Sequence, residues 1–146
     1  MLIRPMLVSD IENIAYAERE CFKDCWSVDL IRAMYQNSYD FVELAEDGGK
    51  IAAYANLRIL GDEAELMRIA VLKDRRQEGI SKLLIKRIFR IGIEKEASII
   101  RLEVRSENFP AISLYKKFGF IQNGIRKSYY SNPTEDAILM EKYLKN

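Results

Sequence analysis

Apolar residues recur at two different spacings along this chain, and the places where the spacing switches mark its elements. Leu2–Met6 alternates and predicts a short first strand. Ser9-Asp10-Ile11-Glu12 reads as a capping box, with Ser9 serving the free amides of a helix start and Glu12 reaching back. Ile11, Ile14, Ala15, Cys21 and Phe22 share one helical face, so the first helix runs to about Phe22. Ser27 caps a second helix through about Gln36, with Leu30, Ile31, Met34 and Tyr35 as its apolar side. Phe41–Ala45 and Ile51–Leu60 predict a hairpin around Glu46-Asp47-Gly48-Gly49-Lys50, because adjacent glycines accept positive φ. A turn at Gly61-Asp62-Glu63 leads into Ala64–Val71, the third antiparallel strand in succession.

The helical period returns at Ile80, Leu83, Leu84, Ile88 and Ile91 and predicts a third helix from about Ile80 to Glu96. Ile99–Arg105 is again a strand. A strand–helix–strand succession implies a crossover and parallel pairing. Asn108 to Phe118 forms a fourth helix, and Gly119 follows its last apolar residue as a C-terminal cap. Phe120–Tyr130 and Asp136–Tyr143 predict two final strands joined by Ser131-Asn132-Pro133-Thr134. The fold class is α+β, a mostly antiparallel sheet with one parallel step in its middle. No repeat or low-complexity segment divides the chain, so a single domain over residues 1–146 is expected.

Composition narrows the chemistry. The 146 residues carry 23 basic and 22 acidic side chains, a net charge of +1 that gives no reason to expect nucleic-acid binding. No apolar run is long enough to span a bilayer, and the N-terminus lacks a secretory stretch, so the cytoplasm is the expected compartment and no membrane partner is expected. The chain has no histidine, which removes the commonest metal ligand and any Ser-His-Asp triad. No metal is expected. Cys21 and Cys25 stand four apart, on or beside one helix, and read as incidental thiols, with a redox pair as the minority reading.

Three places hold candidate chemistry. The first is the turn Arg75-Arg76-Gln77-Glu78-Gly79-Ile80-Ser81-Lys82 at the start of the third helix. Free amides and the helix dipole suit a phosphate there; Gly79 removes a Cβ, and Arg75, Arg76 and Lys82 add positive charge. An ordinary glycine cap explains the same residues. The second is the row Arg101, Glu103, Arg105, alternating with Ile100, Leu102 and Val104. Either that face is open to water or it lines a cleft, where Glu103 accepts a proton. The third is the helix start at Asn108 and the phenol of Tyr115. Asn108 is explained by capping, and Tyr115 either packs with Ile112 and Phe118 or donates a proton.

These pieces resemble the GNAT superfamily of N-acetyltransferases over nearly the whole chain. The acetyl-CoA motif of that family, Gln/Arg-x-x-Gly-x-Gly/Ala, reads here Arg76-Gln77-Glu78-Gly79-Ile80-Ser81, with Ser in place of the last small residue. Within it, the chain is similar to the bacterial ribosomal-protein-alanine N-acetyltransferases. That likeness rests on Leu102-Glu103-Val104-Arg105, Asn108, Ala111-Ile112-Ser113-Leu114-Tyr115, Tyr129-Tyr130, Glu135-Asp136-Ala137 and the early Phe22 and Trp26-Ser27, with Cys25 where proline is usual. The resemblance implies a sheet of about seven strands, splayed between the fourth and fifth and flanked by about four helices. It implies acetyl-CoA as co-substrate, its pantetheine arm along Ile69, Ala70 and Val71 and touching Asn108. The diphosphate would rest on the turn from Arg76 and Gln77 through Glu78, Gly79, Ile80 and Ser81 to Lys82. Glu103 would be the general base and Tyr115 the general acid. Trp26, Tyr129 and Tyr130 would meet a ribosomal protein's N-terminal peptide. A GNAT enzyme acting on a small amine, and a non-catalytic acyl-CoA-binding module, are the competing expectations. The residues leave the oligomeric state open, and a monomer is compatible with them.

Overall fold

The computed structural model describes residues 1–144. Its elements are β1 (Leu2–Pro5), α1 (Ile11–Cys21), α2 (Val28–Gln36), β2 (Asp40–Asp47), β3 (Lys50–Leu60), β4 (Glu63–Val71), α3 (Ile80–Glu94), β5 (Ile99–Arg105), α4 (Phe109–Lys117), β6 (Ile121–Tyr130) and β7 (Glu135–Tyr143). All seven strands join one sheet in the order β1-β2-β3-β4-β5-β7-β6. β4 and β5 run parallel, across the α3 crossover, and the other neighbours are antiparallel. The expected α+β class and its parallel step are both present.

Strand alternation divides the core between the two faces of this sheet. On β3, Ala53, Ala55 and Leu57 turn toward α3, where they meet Leu84, Ile85 and Ile88. Tyr54 turns the other way and packs with Ile14 of α1, Ile31 and Met34 of α2 and Leu44 of β2. Alanines thin the sheet beneath α3, the element that must reach across from β4 to β5. No described helix is long and apolar enough to cross a membrane.

Most local signals act as read. Gly48 and Gly49 take φ of 57° and 81° and make the two-residue turn between β2 and β3. Ser27 Oγ accepts the Leu30 N–H at 3.1 Å. The Ser9 capping box does not form. Residues Val8–Asp10 make a 3-10 turn, and it is Asp10 that accepts the Leu7 N–H at 2.7 Å. The reason is tertiary: Arg4 of β1 places two nitrogens 2.8 and 2.9 Å from the Asp10 carboxylate, which is buried. A bidentate charged partner outcompetes a neutral local cap.

The Arg4 guanidinium holds the Asp10 carboxyl below the usual carboxylate range. A depressed folded-state value means this contribution is complete above about pH 4 and is lost as the pH falls below that, through the folded value. Asp10→Asn is therefore expected to lower unfolding free energy by about 2 kcal/mol near neutral pH. Denaturant titrations across the acid range should show that deficit shrinking. A deficit that persists unchanged in acid would assign it to something other than the carboxylate charge.

Candidate active site

β4 and β5 are paired only at Glu63↔Ile99, Ala64↔Ile100 and Glu65↔Arg101. Beyond those pairs the strands part, although β4 continues to Val71 and β5 to Arg105. A register shift helps to turn β4 away: Arg68 faces Asn56 and Leu66 faces Leu57, which leaves Met67 as an extra residue. The sheet is thus splayed where the resemblance implied.

A cavity of about 380 Å³ occupies the split. Met67 and Ile69 line it from β4, Glu103 from β5, Tyr115 from α4. A second cavity of about 640 Å³ shares Glu103 and opens between two loops, one bearing Lys23, Asp24 and Trp26, the other Ser131 and Asn132 beside Tyr129 and Tyr130. The cleft reading of the charged row on β5 therefore holds for Glu103. Arg101, at the closed end, is engaged instead by Glu63 and Glu141.

Glu103 and Tyr115 come together from elements separated by a turn and a helix start. The Glu103 side chain is 25% exposed, and its nearest cation is Arg126, at 3.9 Å. Its charge pushes the Tyr129 hydroxyl above the ordinary phenol value. Tyr115 is 6% exposed, with its ring edge-on to Phe120 at 5.7 Å. Burial raises its phenol far above the usual range, so the hydroxyl keeps its proton. That hydroxyl has no hydrogen-bond partner among the described residues. Tyr115 belongs to the core and also lines the cavity. Helix α4 is fixed at both ends: Asn108 Oδ1 accepts the Ala111 N–H at 3.3 Å, and the Phe120 N–H reaches the Tyr115 carbonyl at 3.0 Å past Gly119 at φ 94°. Asn108 both caps the helix and lines the split cavity.

The expected cofactor residues fall in two groups. Ile69 lines the split, Ala70 is buried toward α1, and the Val71 carbonyl accepts the Arg76 Nε–H at 3.0 Å. The turn residues gather at the N-terminus of α3. Gly79 is its N-cap at φ 80°, and a Cβ built there would meet nothing within 4 Å. The first amides of a 15-residue helix therefore face open space, a fit for a diphosphate. Gln77 is also left-handed, at φ 65°. Two charges are less free than the turn suggested. Arg75 bonds Glu78 and, at 2.9 Å, Asp47, so neither Arg75 nor the Glu78 side chain is uncommitted. Ile80 is a core side chain and offers only its amide, while Ser81 is half-buried and Lys82 exposed. Trp26, Tyr129 and Tyr130 all line the larger cavity, and burial pushes the Tyr130 phenol up to about 12.

Sequence distance misled about Cys21. It lines the split cavity, because α1 ends against β4, and its Sγ lies 3.7 Å from the Val71 carbonyl. Burial raises its thiol, which leaves it a poor nucleophile. Cys25 is exposed in the following loop.

Three further charged groups, Glu65, Glu18 and Arg68, belong to the site and were not read from the sequence, and Arg105 of the charged row joins them. Glu65 lines the larger cavity, its carboxyl raised by burial and then by the nearby Glu103 charge. Glu18 is fully buried and bonded to Arg68, which lines both cavities. Arg105 bonds Glu135 at 3.2 Å. The spacing Ile11, Ile14, Ala15, Glu18 held the usable signal: a carboxylate at i+7 on an apolar helix face requires a buried cation.

Comparison with known proteins gives a consistent answer. The acetyltransferase (GNAT) family model matches residues 9–120. The [ribosomal protein bS18]-alanine N-acetyltransferase of Haemophilus influenzae is 33% identical over 147 residues, covering 98% of this chain and 99% of its own. The Escherichia coli protein of the same name is 30% identical over 140 residues, covering 94% of each chain. The crystal structure of the Escherichia coli ribosomal-protein-S18-alanine N-acetyltransferase superposes with a TM-score of 0.92 at 28% identity, over 99% of this chain and 94% of that one.

The two parts of Tyr115 separate by substitution. Tyr115→Phe removes an unpartnered hydroxyl and should leave the thermal midpoint unchanged, whereas Tyr115→Ala empties core volume and should cost about 3–5 kcal/mol. A Phe variant as unstable as the Ala variant would mean that the hydroxyl is bound into the fold.

Proposed function

The chain belongs to the acetyltransferase (GNAT) family and is an acetyl-CoA-dependent N-acetyltransferase; on that premise we propose that its acceptor is the N-terminal α-amine of a ribosomal protein. The named activity of the relatives points to the small-subunit protein bS18 with N-terminal alanine, and the proposed setting is the cytoplasm. The observation that carries the mechanism is the convergence of Glu103 and the unpartnered hydroxyl of Tyr115 on one cavity in the split between β4 and β5.

Acetyl-CoA, when bound, supplies the acetyl group as a thioester. The amides from Gln77 to Lys82 at the start of α3 would hold its diphosphate, and Ile69–Val71 with Asn108 its arm. The bulge at Met67 frees local backbone from the ladder, and an amide freed there would polarise the thioester carbonyl. An α-amine has a pKa of about 7.7–8.0, so most of it arrives protonated at neutral pH. Glu103 takes that proton, directly or through a water, and the neutral amine attacks. Tyr115 gives its hydroxyl proton to the departing sulfur, and the second proton that the nitrogen sheds as the amide forms passes to solvent, from which Tyr115 is reprotonated. Direct transfer needs no enzyme nucleophile, and the raised thiol of Cys21 suits that. The aromatic walls of the larger cavity, with Tyr129 and Tyr130 edge-on at 5.1 Å, favour a chain-like acceptor over a compact amine.

Incubation with acetyl-CoA and purified small-subunit ribosomal proteins, read by peptide mass spectrometry, should place one acetyl group on an N-terminal alanine. Modification of small amines alone would overturn the assignment. Glu103→Gln should lose turnover while keeping acetyl-CoA affinity, and Tyr115→Phe should slow turnover by about 10²-fold. Parent-like rates in either variant would remove that residue from the chemistry. Gly79→Asp should weaken acetyl-CoA binding, since it adds a charge and a Cβ at φ 80°. Unchanged affinity there would move the diphosphate elsewhere.

A further inference from the structure

The loop between α1 and α2 forms one lip of the larger cavity, and the loop between β6 and β7 the other. Neither loop has regular structure of its own, yet each is tied to the sheet through one arginine. Arg68, next to the bulge in β4, sets Nη2 2.9 Å and Nε 3.1 Å from the two oxygens of Glu18, whose Oε1 also accepts the Trp26 N–H at 2.7 Å. Its Nη2 reaches the Asp24 carbonyl at 3.0 Å. The rings of Phe22 and Trp26 lie 3.8 and 4.6 Å from the guanidinium carbon. Arg105, on β5, repeats the arrangement: it donates to the carbonyls of Ser131 and Pro133 at 2.9 and 3.1 Å, and to Glu135 at 3.2 Å. Its guanidinium carbon lies 4.5 Å from the Tyr130 ring centre. The other Glu135 oxygen accepts the Glu107 N–H at 2.7 Å, one residue before the cap of the helix that carries Tyr115.

We propose that Arg68 and Arg105 are positioning residues, one on each diverging strand, that hold the two lips at the separation an acceptor chain needs. The proposal rests on the acceptor reading above. A planar fork with several donors and a stackable face serves both roles at once, and an ammonium cannot. Both lips also border the split cavity, but the N-terminus of α3 lies outside them, so loosening a lip should harm the acceptor far more than acetyl-CoA.

The test uses the full chain with Arg68→Lys and Arg105→Lys, which keep charge and lose the fork. Arg58→Lys is the control, because Arg58 makes an equally bidentate pair with Asp40, with bonds of 3.0 Å, outside the cavities. With an N-terminal alanine peptide, each lip variant should raise the peptide KM about tenfold or more. Acetyl-CoA affinity by calorimetry should change far less than the peptide KM, and amide exchange should quicken in that variant's own loop alone. Arg58→Lys should move none of these. An unchanged peptide KM, a parallel fall in acetyl-CoA affinity, or exchange that quickens throughout the chain would overturn the proposal. If Arg68→Lys does not fold, Phe22→Leu removes one stacked ring, keeps the ion pair and is judged by the same readouts. Should the parent acetylate no peptide, the acceptor reading fails by itself, and exchange and acetyl-CoA affinity decide the clamps.

Discussion

Parallel pairing between β4 and β5 ends after Glu65 and Arg101, and strands that stop bonding partway expose edges that need other partners. The gap cannot close by simple collapse. β4 is held along its outer edge by β3, and β5 along its whole length by β7. The two strands are therefore prised apart by their own neighbours, with the Met67 bulge adding bend on one side. The crossover α3 packs over the closed end, and its N-terminus emerges beyond the far end of β4. A wedge-shaped cleft lined by backbone, with a helix dipole at one mouth, follows from pairing register before any catalytic side chain is considered.

Charge around this cleft is distributed unevenly. Glu18 and Glu135 each accept several hydrogen bonds and are committed to structure. Removing the cation from a buried pair such as Glu18–Arg68 costs about 3–5 kcal/mol, which explains why the apolar run from Leu66 to Val71 carries an arginine. Glu103 is faced by Arg126 at 3.9 Å, by the tyrosines of one lip and by Glu65. Burial raises the Tyr115 phenol and keeps it protonated.

Order along the chain was enough for the elements themselves. Alternation at Leu102-Glu103-Val104, the helical spacing from Ile80 to Ile91, the glycine pair at 48–49 and the cap at Gly119 are local properties, set by backbone sterics and side-chain period. The parallel step followed too, because a strand–helix–strand run admits one handedness. Glu103, Tyr115 and the turn at Gly79 were legible as candidates through residue type and placement on those elements. Where local rules met a long-range partner they failed. Ser9 lost its capping role to Asp10 because Arg4 arrives from β1. Arg75 looked like a phosphate ligand until Asp47, from the β2 hairpin, was brought against it. Cys21 read as an incidental thiol and lines the cleft. Only the tertiary structure decided that Arg68 and Arg105 grip separate loops, and that Glu65 stands beside Glu103. Those contacts depend on strand register and on which neighbour each strand receives, and no spacing within a single element encodes either.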